Sequence, residues 1–204
     1  LLSVGLLGVQ RHRKLVPTEW SITAVDDILG RALHRPVLDY PQVNEFMVFG
    51  AQAFNNNVQV LLFPSHWMFE ALEAWLTSSN PRVDGDYELT WGRSTYAYGI
   101  AGAYYAARLP VLEYLDRARR QAAAITFLEV GSGWIPIGVW RFRELCREAL
   151  RQAPLRFETL EEGLKALGSR LRLPLAKWVQ ASRLLDLHRR QRHLEPYLLK
   201  QTSA

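Results

Sequence analysis

The sequence holds one cysteine, Cys146, in 204 residues. A single thiol excludes a disulfide framework and any cysteine-rich zinc site. Cys146 falls on the apolar face of an expected helix with Val139, Phe142 and Ala149, which makes it a buried structural thiol rather than a nucleophile. Metal-binding spacing is missing among the five histidines. There is no H-E-x-x-H, and His188 and His193 read as exposed on a strongly charged helix. Apolar runs of the ~18 residues needed to cross a membrane are absent. The opening LLSVGLLGV is too short for a span and lacks the charged start of a signal peptide. A soluble, cytoplasmic chain is expected. It opens with Leu rather than Met, so it is expected to begin inside a longer polypeptide. Internal repeats and low-complexity segments are also lacking.

What is present suffices for a core. Apolar residues make up 49% of the chain, with seven Trp, eight Tyr and eight Phe. The net charge of +5 is unevenly spread. Residues 1–140 carry 11 Lys+Arg against 13 Asp+Glu, and residues 141–204 carry 14 against 7. The whole excess comes from the last third. It reads either as a surface for nucleic acid or another polyanion, or as a solvated helical face.

Local patterns predict an α+β fold: a small β-sheet packed with helices, then a basic all-helical C-terminal region. Thr23 to Asp26 has capping-box form, and apolar residues from Ile22 to Leu33 recur at helical spacing up to Pro36. Glu45–Phe49 and Val58–Phe63 read as a hairpin around Asn55, Asn56 and Asn57. Ser65–Leu76 reads as a helix, with Trp67, Phe69, Leu72 and Leu76 as its apolar positions. Tyr87–Trp91 reads as a strand, Ala101–Arg120 as a helix, Ala122–Val130 as a buried strand and Gly138–Gln152 as a helix. Leu155–Leu167 and Leu175–Arg190 read as helices, with no strand beyond residue 130. The domain division expected is a core over residues 1–153 and a helical extension over 154–204.

Four groups of residues have chemistry to offer. Asp26 and Asp27 stand together, and Glu45 opens the next strand. Three carboxylates could hold a divalent cation such as Mg²⁺ or exchange protons, and acids in a first helical turn also simply favour the helix dipole. "WGRSTYAYGIAGAYYAAR", Trp91 to Arg108, leads three glycines into a helix and sets Arg93 and Arg108 around four tyrosines, Tyr96 among them. Arginine beside tyrosine suits stacking on bases and pairing with phosphates, and close helix packing explains the glycines equally well. Glu129 ends a buried strand before a glycine turn. Arg183, Arg189, Arg190 and Arg192 lie on or just after a helix anchored by Trp178, Leu184, Leu185 and Leu187. They would meet DNA through phosphates, since no base-reading motif accompanies them.

Three blocks taken together, "KLVPTEWSITAVDD", "GRSTYAYGIAGAYYAARLPVLEYL" and "RRQAAAITFLEVGSGWIPIGVWRFRE", resemble the archaeal Nre family of DNA repair proteins. The similarity runs from about Arg13 to about Arg147. It implies a DNA repair role, a nucleoid location and a partnership with the archaeal sliding clamp (proliferating cell nuclear antigen, PCNA). It also implies one functional surface holding Lys14, Thr18, Trp20, Asp26, Asp27, Arg93, Tyr96, Arg108 and Glu129. The family's clamp contact is a C-terminal motif beginning with Gln. Gln201 stands where it would begin, with Ala204 at the aliphatic position. The competing expectation is a metal-dependent repair nuclease or nucleotide hydrolase using Asp26, Asp27 and Glu45, and a third is an interaction scaffold. Convergence of these residues on one pocket is the geometric discriminator.

Overall fold

The computed structural model describes residues 4–7, 10–12, 14–133 and 138–190. Strands β1 (Val4–Leu7) and β2 (Lys14–Pro17) form a small antiparallel ribbon beside helix α1 (Thr18–Val37). The main sheet contains β3 (Phe46–Ala53), β4 (Asn56–Phe63), β5 (Met68–Trp75), β6 (Val83–Glu88), β7 (Ala123–Val130) and β8 (Leu155–Phe157). Their order is β6-β5-β7-β4-β3-β8. All neighbours are antiparallel except β5 and β7. Helices α2 (Gly102–Ala118) and α3 (Trp140–Arg151) flank β7 in sequence, and α4 (Leu160–Gly168) and α5 (Leu175–Ala181) follow β8. A last helical segment covers residues 183–190. The fold is α+β, as expected, with helices dominating the C-terminal part.

Both faces of the sheet are covered, and the alternation of side chains shows how. In β4, Val58, Val60 and Leu62 enter the core beneath α2 and α3, while Leu61 and Phe63 enter a second core beneath α4, α5 and residues 183–190. In β7, Ala124 and Leu128 face the first core, and Ile125 and Phe127 the second. Strands buried on both faces read as unbroken apolar runs, which hides their period of two. β5 is hidden differently, since Glu70 and Glu73 interrupt its apolar residues at helical spacing. Ser65–Leu76 is not a helix: Met68–Trp75 is the strand β5, pairing in parallel with β7 and antiparallel with β6.

Other boundaries move for local reasons. α1 starts at Thr18, so the Thr23–Asp26 pattern lies inside it, with Thr23 and Asp26 buried. Pro36 is tolerated in its last turn. The hairpin turn falls on Phe54 and Asn55, both with positive φ, as a two-residue hairpin turn requires. The strand expected at Tyr87–Trp91 is β6, ending at Glu88. Leu155–Phe157 is an edge strand on β3, and the helix behind it begins after Thr159. There Thr159 and Glu162 form a reciprocal capping box.

Residues 155–190 are fastened to the second face by two buried carboxylates. Glu129 of β7 accepts from the backbone N–H of Arg172 at 2.9 Å, that of Leu173 at 2.8 Å and the Asn57 amide at 2.7 Å. Glu70 of β5 accepts from the Ser182 hydroxyl at 2.5 Å and the backbone N–H of Arg183 at 2.7 Å and Leu184 at 3.2 Å. It thus neutralises the start of the last helical segment. Trp178, Leu184 and Leu185 are buried beneath, as expected of the anchoring residues. His188 is not exposed: it is half-buried, edge-on to Phe63 and Phe46. Cys146 is buried in the first core, where burial pushes its thiol pKa up. Among the described residues no helix is long and apolar enough to cross a membrane.

Candidate functional site

α1, β6 and the start of α2 enclose a small polar pocket of about 70 Å³. Its floor is Glu88, which closes β6 and is buried. One Glu88 oxygen, Oε1, accepts from the Arg108 Nε and from the Trp67 indole, both at 2.8 Å. The Arg108 guanidinium also lies 5.8 Å from the Trp67 ring centre. In a buried pair of this kind each charge offsets the other's desolvation, here through the single Nε–Oε1 contact. Arg108 Nη1 has no hydrogen-bond partner among the described residues. It lies over Gly30 of α1, where a Cβ would approach it to 2.6 Å, so glycine is what lets the guanidinium in.

Around this floor stand His34, Tyr104, Asp27, Arg31 and Arg93. Burial, and then the Arg108 charge, lower the His34 pKa, which keeps the ring neutral near pH 7. Burial, reinforced by Glu88, raises the Tyr104 hydroxyl. Asp27 pairs with Arg31 one turn on, at 2.9 Å, on the exposed rim. Trp91 completes the rim and is 86% exposed.

The loop over residues 91–101 is organised by Arg93. Its guanidinium donates to the carbonyls of Tyr87 at 2.8 Å, Tyr96 at 3.0 Å and Thr95 at 3.3 Å, and pairs with Asp86 at 3.0 Å. Asp86 in turn accepts from the backbone N–H of Gly99 at 2.6 Å. The sequence suggests a phosphate partner for Arg93. Most of its donors instead hold the loop in shape, and the group reaches the pocket as part of its wall. Tyr96 packs against Tyr98 and Tyr105, on the side of the loop facing a second cavity.

The structure therefore brings Asp27, Arg93 and Arg108 to one pocket and places Asp26, Glu45, Tyr96 and Glu129 elsewhere. Asp26 points the other way, its side chain fully buried and paired with Arg143 of α3 at 2.5 Å. Burial raises the Asp26 carboxyl, and Arg143 opposes the rise. Glu45 pairs with Arg156 of β8 at the far edge of the sheet. The three carboxylates that a metal site would have used are thus in three separate ion pairs. Among the described residues no three His, Cys, Asp or Glu side chains assemble to hold a metal ion. Glu129 is no surface residue either; it is the buried anchor described above. Arg183 and Arg190 share Asp186, and Arg189 is exposed. The side chains of Lys14, Thr18 and Trp20 lie outside the described residues, as do Arg192 and Gln201. His34 and Glu88 of the pocket, and Asp86 and Trp67 that hold its Arg93 and Glu88, are residues that the sequence did not reveal. They come from α1, β6 and the residue before β5, and no spacing rule links them.

Two family models match the chain. One described as "Archaeal Nre, N-terminal" covers residues 1–80, and one described as "Archaeal Nre, C-terminal" covers residues 88–197. Among curated proteins, the chain is 40% identical to DNA repair protein NreB of Archaeoglobus fulgidus over 198 residues, 94% of the chain and 50% of that relative. It is 38% identical to DNA repair protein NreA of the same organism, over 84% of the chain and 45% of the relative. It is 37% identical to DNA repair protein NreA of Haloferax volcanii, over 86% and 44%. The chain thus spans about half the length of the curated relatives it matches. No solved structure matches it.

Proposed function

Because the chain belongs to the archaeal Nre family, we propose that it serves DNA repair, binding nucleic acid or a nucleotide through the loop of residues 91–101 and the pocket beside it. The observation that carries this reading is the company the arginines keep. Arg31, Arg93 and Arg108 stand around one pocket, and the same loop presents two almost fully exposed aromatic rings, Trp91 and Tyr98. Isolated exposed apolar residues need no explanation, but large rings beside cations are how single strands are stacked and neutralised. The names of the relatives point to the same biology. The exposed arginines of residues 183–190 would add phosphate contacts. The C-terminal tail, with Gln201, would dock on the sliding clamp, placing the protein at the nucleoid.

The test is a titration of labelled single-stranded and duplex DNA with the full-length protein, the parent against Trp91→Ala. Binding that weakens about tenfold in the variant is the expected result, the scale of one missing stacking platform. Absence of binding to any DNA at low salt would remove the reading.

A further inference from the structure

On the other side of the same loop lies a larger cavity of about 540 Å³, within the range that small-molecule sites occupy. Trp75, the last residue of β5, Tyr96 and Tyr98 of the loop and Phe142 of α3 supply its aromatic wall. Among the described residues only two charged side chains enter it, Glu73 of β5 and Arg141 of α3. Arg141 is held by the Gly138 carbonyl at 3.1 Å and lies against two rings, Phe142 at 4.4 Å and Trp75 at 5.9 Å. Glu73 is hydrogen-bonded to Trp75, and burial raises its carboxyl to about 7. Protonated or ionised, a carboxyl group at the edge of an aromatic cavity keeps acceptor lone pairs to spare.

We propose that this cavity is a nucleobase pocket, seating one unstacked, amino-bearing base of a single strand against Trp75, Tyr96 and Tyr98, with its exocyclic amine on the Glu73 carboxylate. Three features support the assignment. First, rings on several sides suit a flat heterocycle, since every base has a π-face. Second, a carboxylate accepts from an exocyclic amine, as Glu and Asp do with cytosine, whereas thymine offers an oxo group there. Third, one loop serves both sites. Residues 91–101 give Arg93 to the polar pocket and Tyr96 and Tyr98 to this one. A base on one side of the loop leaves its phosphates to the cations on the other.

The inference rests on the proposal that the chain binds nucleic acid, and its test separates the two. Fluorescence anisotropy would compare labelled oligo-dC, oligo-dT and an abasic strand of equal length, with the full-length protein, Tyr98→Ala and Glu73→Gln. Tyr98 is 82% exposed, so its removal leaves the core intact. The parent should bind oligo-dC about tenfold more tightly than the abasic strand and about fivefold more tightly than oligo-dT. Tyr98→Ala should lose most of the first difference and Glu73→Gln most of the second. Equal affinity of the parent for all three strands overturns the pocket while leaving nucleic-acid binding intact. Preferences that survive in both variants overturn it too, because the base is then read elsewhere. No binding of any strand sinks the pocket and the proposed function together.

Discussion

Asp26 and Arg143 meet at 2.5 Å, tying α1 to α3, while the next residue in the chain, Asp27, faces the arginine-lined pocket instead. Two adjacent acids thus divide between architecture and site. Asp26→Ala should destabilise the protein by about 2 kcal/mol, less than a fully buried pair because Arg143 retains some solvent and its contact with Glu144. Asp27→Ala should cost within ~0.5 kcal/mol, since its partner Arg31 is exposed. Urea unfolding of both variants is the measurement. Equal destabilisation would contradict the division.

Glu129 gives a second prediction. Removing its carboxylate as Glu129→Ala leaves the backbone N–H groups of Arg172 and Leu173 without their acceptor and the Asn57 amide with the Arg170 carbonyl alone. Each buried orphan costs about 1–3 kcal/mol, so a destabilisation of about 3 kcal/mol or more is expected. Limited proteolysis should then cut near residues 169–174 well before the parent is touched. Uniform resistance along that loop would show that the anchor is dispensable.

Glu73 gives the pH dependence. Burial lifts its carboxyl from 4.5 to about 7, opposed by Trp75 and Arg141 and assisted by Asp84. In that window the folded protein holds a proton that the unfolded chain has released. This contribution to stability is therefore complete below the unfolded value and is lost as pH rises through the folded one. Glu73→Gln has no such proton. Between about pH 5 and pH 8 the parent's melting temperature should fall several degrees relative to the variant's. Parallel curves would mean that the carboxyl titrates normally.

The basic helical segment gives the fourth. If Arg183, Arg189 and Arg190 meet phosphates, replacing all three with Gln should flatten the plot of log affinity against log salt by about 0.9 for each phosphate no longer neutralised. Arg189 should contribute most, since the other two already share Asp186. Parallel plots for parent and variant would reduce these arginines to a solvated face.

The parts of this fold legible in the sequence are those whose environment is one-sided or strongly punctuated. α3 carries a clean amphipathic stripe from Phe142 to Leu150, and the hairpin announces itself through its asparagines. β5 is illegible because both of its faces are covered and each carries one glutamate, Glu70 and Glu73, three residues apart as on a helix face. With Trp67, Phe69, Leu72 and Leu76 placed as they are, helical spacing fits by accident. The capping box of Thr159 and Glu162 is in plain view, yet the apolar period from Leu155 to Leu167 runs across it. For the site, the Trp91–Arg108 segment is the visible half. Its other half is not, because Arg108 finds Glu88 across 20 residues and Asp26 finds Arg143 across 117. A list of polar residues cannot say which charges face each other and which face a partner elsewhere, and that distinction sorts Asp27 from Asp26 and Glu45.

Glu70 and Glu129 sit on β5 and β7, the parallel neighbours of the main sheet, and both point away from the pockets. A pull on the chain at residue 190 is therefore passed to two interior strands of the sheet. It reaches them through backbone amides held by carboxylates, in shear along the strands. The helices that line the two cavities, α1, α2 and α3, lie on the opposite face. A chain held beyond residue 190 would therefore be anchored from the face opposite its two cavities.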